Sequence, residues 1–472
     1  RYGTVTGVQT CALPISDFVG LAGRQDGRDW LGRGVFLNSV NQARFQYGGG
    51  QVYDDSVLQV FTPIHIENRD GHASRFVRPN LLFNVITSSA DAAISAEPNS
   101  FANTGDRSGP LVRGNTVTGN SLNAFFIRVR TEYGTPLDTL QMPARIDDTD
   151  ITYVLSENLI IEGGAGGVFK PNPSDTNHVG WDARVAASLV LDPGVVLKLS
   201  GARIESQIGG SQLLAEGTSG RPVVMTSLRD DMYGAGGTFD TGADGDAPVS
   251  PGDWSGLYFA PNSFGSIDQA VLKYAGGISA VAGSFASFNA IEVQQADVRV
   301  ANTLLVGNAA GGGSGNRDGL MTNGNTTIFV RGAQPILVNN TFVDNRGSAI
   351  SVNVNSLNSR DVSDWGRRTG AINAQSQYKN NTGPLVAGNR LGDNAVNGME
   401  VRGETVTTEV IFDDADIVHV VRDEIIEDIN RHTFGGIRLQ SGNESSLVIK
   451  LAGPTRSEEH TSELQSQFRI SY

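Results

Sequence analysis

Six aspartates fall within a short stretch of the chain: Asp230, Asp231, Asp240, Asp244, Asp246 and Asp253. Only Arg229 offsets them nearby. The segment TFDTGADGDAPVSPGD alternates Asp with Gly, so its carboxylates can fold back toward one point. Calcium takes about 6–8 oxygen ligands and is the hard cation that such a set would hold. The spacing is not that of the helix-loop-helix calcium loop. Three readings therefore stand: a calcium site, a solvated acidic insertion between strands, or a catalytic role.

Other charged groups recur rather than cluster. NRDG followed by FVR occurs at 68–71 with 76–78, and again at 316–319 with 329–331. Arg69, Asp70 and Arg78 thus correspond to Arg317, Asp318 and Arg331. A saccharide-contacting Arg/Asp pair is one meaning, and a turn that pins a loop to the body is the plainer one. Asp147, Asp148 and Asp150 match Asp413, Asp414 and Asp416, each trio preceding an apolar run. A cap or turn is expected there, with calcium at a module junction as the sharper alternative. The histidines His65, His72, His178, His419 and His432 are scattered, with no HExxH and no triad setting. His65 and His419 sit in strand-like runs, where packing or surface roles are expected. Hydrolases built on stacked strands use paired carboxylates as acid and base. The phrases Asn-Thr-Asp, Gly-His-Gly and Arg-Ile-Lys of polygalacturonase-type enzymes are all absent. No catalytic residue is assigned.

Composition limits what these groups can serve. The chain has 472 residues, 58 of them Gly, with 18% charged, 39% hydrophobic and only 7% aromatic. Many thin layers suit that mixture better than one bulky core. The net charge of -14 argues against nucleic acid as a partner. No stretch approaches the roughly 20 apolar residues of a membrane span. The single cysteine, Cys11, permits neither a disulfide framework nor a Cys-based zinc site.

Internal repeats organise the chain. QARFQYGGG (42–50) matches QAVLKYAGG (269–277), each after an Asp-Trp-x-Gly, at Asp29–Gly32 and Asp253–Gly256. PNLLFNVITSSADAAIS (79–95) matches PILVNNTFVDNRGSAIS (335–351), and GPLVRGN (109–115) matches GPLVAGN (383–389). IDDTDITYV (146–154) matches FDDADIVHV (412–420), and VVLKLSG (195–201) returns as LVIKLAG (447–453). The matches are collinear, as expected of one ancestral module with loop insertions. Residues 17–149 then end a first module, 150–415 form a complete one, and 416–455 begin a third.

Within a module, short β-branched runs are punctuated by Gly and Asn, as in TTIFVRG (326–332) and SAISVNVNS (348–356). Such runs are strands, and helix-length patterns are nearly absent. Asn308 and Asn345 close similar phrases 37 residues apart, compatible with two coils of roughly 20 residues each. A coil of this kind buries its apolar residues only by stacking on its neighbours. The expected fold is mainly β: a right-handed parallel β-helix, a solenoid of tandem modules, with Asn side chains stacked at the bends. Alternation places Val298, Val300, Ile328, Val330, Ile336, Val338, Ile350 and Val352 inward.

The stretch 188–259 carries Leu213-x-Ala215-x-Gly217-Thr218, then Pro222-Val223-x-x-Thr226-Ser227, then Gly252-Asp253-Trp254-x-Gly256. It resembles large secreted bacterial proteins with parallel β-helix repeats, and the likeness covers 17–455. The resemblance implies an adhesin-like segment at the cell surface or outside the cell: a stiff spacer and binding surface. Its implied partners are a polysaccharide or cell-surface ligand and the neighbouring modules. The alternative is a carbohydrate-active β-helix enzyme, a polysaccharide lyase or glycoside hydrolase.

The two ends read differently. Residues 456–472, RSEEHTSELQSQFRISY, are what one strand of an indexed sequencing adapter encodes. Residues 1–15, RYGTVTGVQTCALPI, are what the complementary strand encodes. The triplets for Gln467, Phe468 and Arg469 reverse into those of Tyr2, Gly3 and Thr4. Residues 1–16 and 456–472 are therefore expected to be adapter-derived, without an evolved fold, and Cys11 and His460 belong to them. The remainder is expected to be an interior piece of a longer secreted protein.

Overall fold

A computed structural model describes residues 39–452 and 468–469, apart from 55–56, 68–78, 104–107, 133, 165–169, 172–180, 183–185, 314–316, 318, 428–434, 443–444 and 453–467. The chain winds into a parallel β-helix whose coils supply one strand to each of three long sheets. The first sheet has seven strands, from Pro143–Ile146 to Leu385–Ala387. The second has ten, from Ile64–Ile66 to Arg390–Gly392. The third has nine, from Leu159–Ile161 to Val448–Leu451. Two three-stranded parallel sheets, ending on Leu111–Arg113 and Thr116–Thr118, complete the N-terminal coils.

Short β-branched strands can stack this way because each bend needs little chain. Gln269, Asn302 and Asn339 each turn the path from the first sheet to the second with a φ between 50° and 56°. Tyr274, Gly307, Asp344 and Asp393 do the same between the second and third. The left-handed conformation suits Gly and Asn best. The residue after the bend is often Asn, and it builds the expected ladder. Asn345 Oδ1 accepts from the Asn308 backbone N–H (3.0 Å) and side-chain amide (2.8 Å). Asn394 Oδ1 accepts in the same way from Asn345, at 3.2 and 2.6 Å. The phrase is a bend residue followed by a ladder Asn. Asn308 and Asn345 belong to adjacent coils, because Leu304–Val306 pairs directly with Thr341–Val343. One coil, not two, therefore spans those 37 residues, the excess lying in an insertion after Gly307.

One apolar core runs without a break from Phe45 to Ile425. Inward residues stack in columns, such as Ile204, Leu257, Ile291, Ile328, Ile350 and Met399 on the third sheet. Val298, Val300, Ile328, Val330, Ile350 and Val352 lie in this core, as expected. Ile336 and Val338 are a correction. Both are buried, but on the outer face, against Val362, Trp365 and Tyr378 of the insertion that follows Ser356. Leu337 points inward in their place, because Val300 pairs with Leu337.

The repeats recur as register. Asn80 pairs with Leu111 as Ile336 pairs with Leu385, and Ile94 pairs with Phe125 as Ile350 pairs with Met399. Both copies carry a bulge at the same place, before Phe125 and before Met399. Tyr153 then pairs with Leu197 as His419 pairs with Ile449. In the tail, the two residues Phe468–Arg469 pair in parallel with Ile425–Ile426.

Candidate functional site

The acidic loop joins the strand Val223–Ser227 of the second sheet to Gly256–Phe259 of the third. Trp254 anchors its far end: the ring is buried in the core and its indole N–H donates to Lys273 O at 2.7 Å. Gly256 is required beside it. Its φ is +137°, and a Cβ there would sit 2.1 Å from Asn289 O of the next coil. The Asp-Trp-x-Gly phrase is thus a re-entry device. Its earlier copy, Asp29–Gly32, lies outside the described residues.

The six aspartates divide into three groups. Asp230 is buried, accepts from Thr226 Oγ1 (2.6 Å) and lies 3.2 Å from Lys273 Nζ. Burial opposes charge on Lys273, but Asp230 outweighs it and holds the lysine pKa above its ordinary value. Asp253 accepts from Ser227 Oγ at 2.7 Å and from Ser250 N at 3.0 Å, closing the loop base. Asp246 is exposed and stands apart. Only Asp231, Asp240 and Asp244 converge, each with a carboxylate oxygen within 4.8 Å of the others. Burial, then Asp240 and Asp244, push the Asp231 pKa up, against the pull of Lys198. The Lys198 ammonium lies 3.7 Å from Asp231 and donates to Phe239 O at 2.6 Å. Three carboxylates can contribute to a calcium shell, and here a buried lysine already supplies part of the balancing charge.

The paired Asp trios are caps. In each copy the strand after the trio stacks one face over, so the columns ending on Leu111–Arg113 and Leu385–Ala387 have no strand above them. Carboxylates take the place of the missing carbonyls. Asp148 Oδ2 accepts from Val112 N (2.7 Å) and Asp150 Oδ2 from Gly114 N (2.6 Å). Asp414 Oδ1 and Asp416 Oδ2 accept from Val386 N (3.4 Å) and Gly388 N (2.6 Å). This explains why the Asp trio and the Gly-Pro-Leu-Val phrase recur together: one supplies the acceptors, the other the orphan donors. Burial pushes the Asp148 carboxyl up to about 7.

Arg317 and Arg331 pin described residues of the 309–325 insertion. The Arg317 guanidinium pairs with Glu292 at 2.8 and 2.9 Å and covers the Phe288 ring at 4.6 Å. Arg331 donates to Thr322 Oγ1 at 2.8 Å. Asp318, Arg69, Asp70 and Arg78, like His72, His178 and His432, lie outside the described residues.

Sequence reasoning missed a second charged cluster, on the outer face of the first sheet. Glu216 and Asp268 sit opposite each other on neighbouring strands, the placement that hydrolases of stacked strands use. Neither is free. Arg299 is fully buried and bridges Asp268 (2.7 Å) to Asp364 (2.6 Å), and Arg367 also reaches Asp268 at 2.8 Å. Burial alone would raise the Asp268 pKa, but hydrogen bonds from Arg367, Asn302 and Arg299 hold it below the usual carboxylate range. Glu216 accepts from Ser266, from the Arg368 and Thr369 backbone amides and from the Thr369 hydroxyl. The cluster staples the 357–384 insertion to the coils. Arg299 and Asp364 are 65 residues apart in the chain, so no local pattern announced it.

No family model matches the chain, no curated protein matches it, and no solved structure matches it.

Proposed function

We propose that this chain is a structural and adhesive segment of a long secreted or cell-surface bacterial protein, a stiff spacer that also presents a binding surface. The observation that carries this is the single core from Phe45 to Ile425, with the repeated register that crosses both module junctions. Bending such a rod anywhere must open parallel hydrogen bonds and the column of side chains behind them. Two of its insertions are fastened outside the core by buried Arg–carboxylate pairs, Arg317 with Glu292 and Arg299 with Asp268 and Asp364. The described residues contain no helix long and apolar enough to cross a membrane. Calcium bound by Asp231, Asp240 and Asp244 belongs to the same reading, as reinforcement of the longest acidic insertion.

Labelled protein incubated with intact bacterial cells and with a polysaccharide panel tests the proposal. Retention without turnover is expected. Release of reducing ends or unsaturated sugars would replace this function with the carbohydrate-active enzyme. A calcium arm is run in parallel: the melting temperature should rise in calcium over chelator, and the rise should vanish in Asp240→Asn/Asp244→Asn.

A further inference from the structure

Two hairpins from distant coils meet on the flank of the β-helix. One is Ile278–Val281 with Ser284–Ser287, and the other is Thr131–Glu132 with Thr135–Pro136. They touch where Gly134 faces Val281, so closely that a Cβ on Gly134 would lie 2.1 Å from Val281 O. Between them lies a cleft of about 590 Å³, inside the range of small-ligand sites, roughly 300–1,000 Å³. The Phe285 ring forms one wall and is 71% exposed.

We propose that this cleft binds a neutral saccharide, with Phe285 as the stacking platform; the proposal rests on the adhesive reading and names its ligand class. The lining decides the class. Of the described residues that line the cleft, none is Lys or Arg, so these offer an anionic sugar or phosphate no counter-charge. Among the described lining residues the one carboxylate is Glu157, which already accepts from the backbone amides of Val129 (2.8 Å), Arg130 (2.9 Å) and Thr131 (3.2 Å). What remains is an aromatic face beside Ser156 and Ser284. A hexose ring offers the complement: polarised C–H groups for the ring face and hydroxyls at its rim.

The platform is preorganised. Arg203 Nη1 donates to Ala280 O (2.6 Å) and Ser279 Oγ (3.2 Å), and Asn158 Nδ2 donates to Ala280 O (2.7 Å). Val281 and Ala286 pack on Tyr258 and Phe288 beneath. The inner side of the hairpin is therefore fixed, while Ile278 and Phe285 stay outside. An exposed aromatic carried on a fixed hairpin loses only its own rotamer freedom on binding, which favours weak ligands most.

The test uses the full chain with maltohexaose, cellohexaose and mannohexaose, and with hexagalacturonate as the acidic control, by saturation-transfer NMR and calorimetry. At least one neutral probe should bind with Kd near or below about 1 mM. Phe285→Ala should weaken it about tenfold, and Phe285→Trp should retain it. Phe285 is exposed, so an unchanged melting temperature should accompany both variants. Binding of none of the neutral probes, binding of hexagalacturonate alone, or equal affinity in Phe285→Ala overturns the proposal. Those failures would leave whole-cell retention intact, whereas loss of whole-cell retention alone strikes the adhesive reading.

Discussion

His419 shows how one residue can set a pH response in an otherwise apolar column. It stacks between Met399 and Ile449, is fully buried, and neither ring nitrogen has a well-formed hydrogen bond. Its counterpart in the complete module is Tyr153, which packs against Phe125 and Phe101. Burial pushes the His419 pKa down to about 4. The unfolded chain takes up a proton near pH 6.5, so stability present above that pH is lost as pH falls toward 4. The loss reaches about 3 kcal/mol at most. His419→Phe should flatten it, read by urea melts at neutral and acid pH. A variant with the same acid loss as the parent would remove His419 as the cause. Asp148 slopes the other way. Its raised carboxyl favours the fold at low pH and loses that contribution as pH rises to about 7.

At the scale of elements, two open strand edges are managed by a named device. Unpaired edges are liabilities, because orphan N–H groups template further pairing. Here the edge of Leu111–Arg113 is closed by Asp148 and Asp150, and that of Leu385–Ala387 by Asp414 and Asp416. The role needs an acceptor and not a charge. Asp148→Ala should therefore cost about 1–3 kcal/mol through the stranded Val112 amide. Asp148→Asn should stay near the parent at acid pH and match or exceed it above pH 7. If Asn fails as badly as Ala, the carboxylate has a second duty there, and the calcium reading of the junction revives.

Among the described residues one core is shared from coil to coil. Stability in such an array is a sum of coil and interface terms, so the ends matter only as far as they stack. Residues 1–16 and 456–467 lie outside the described residues, and Phe468–Arg469 adds a two-residue pairing to Ile425–Ile426. A chain trimmed to 17–455 should melt within about a degree of the full chain, since surface changes away from buried features are small. A fall of several degrees would show that the tail pairing is part of the fold and would end the adapter interpretation.

How much was legible in the sequence follows from the distance over which each feature is decided. Strands, bends and the ladder of Asn308 and Asn345 were readable, because a β-branched run, a left-handed bend residue and an Asn are neighbours in the chain. The stacking of coils was readable too, since coils of this kind cannot bury their apolar faces alone. Coil length was misread at 308–345, and Ile336 and Val338 were turned the wrong way, because insertions hide the period and cover an outer face with apolar side chains. The Arg299 staple and the cleft at Phe285 belong to the tertiary structure alone. Each is assembled from residues on different coils or insertions, and only the stacking of coils along the axis brings them within hydrogen-bonding or contact range.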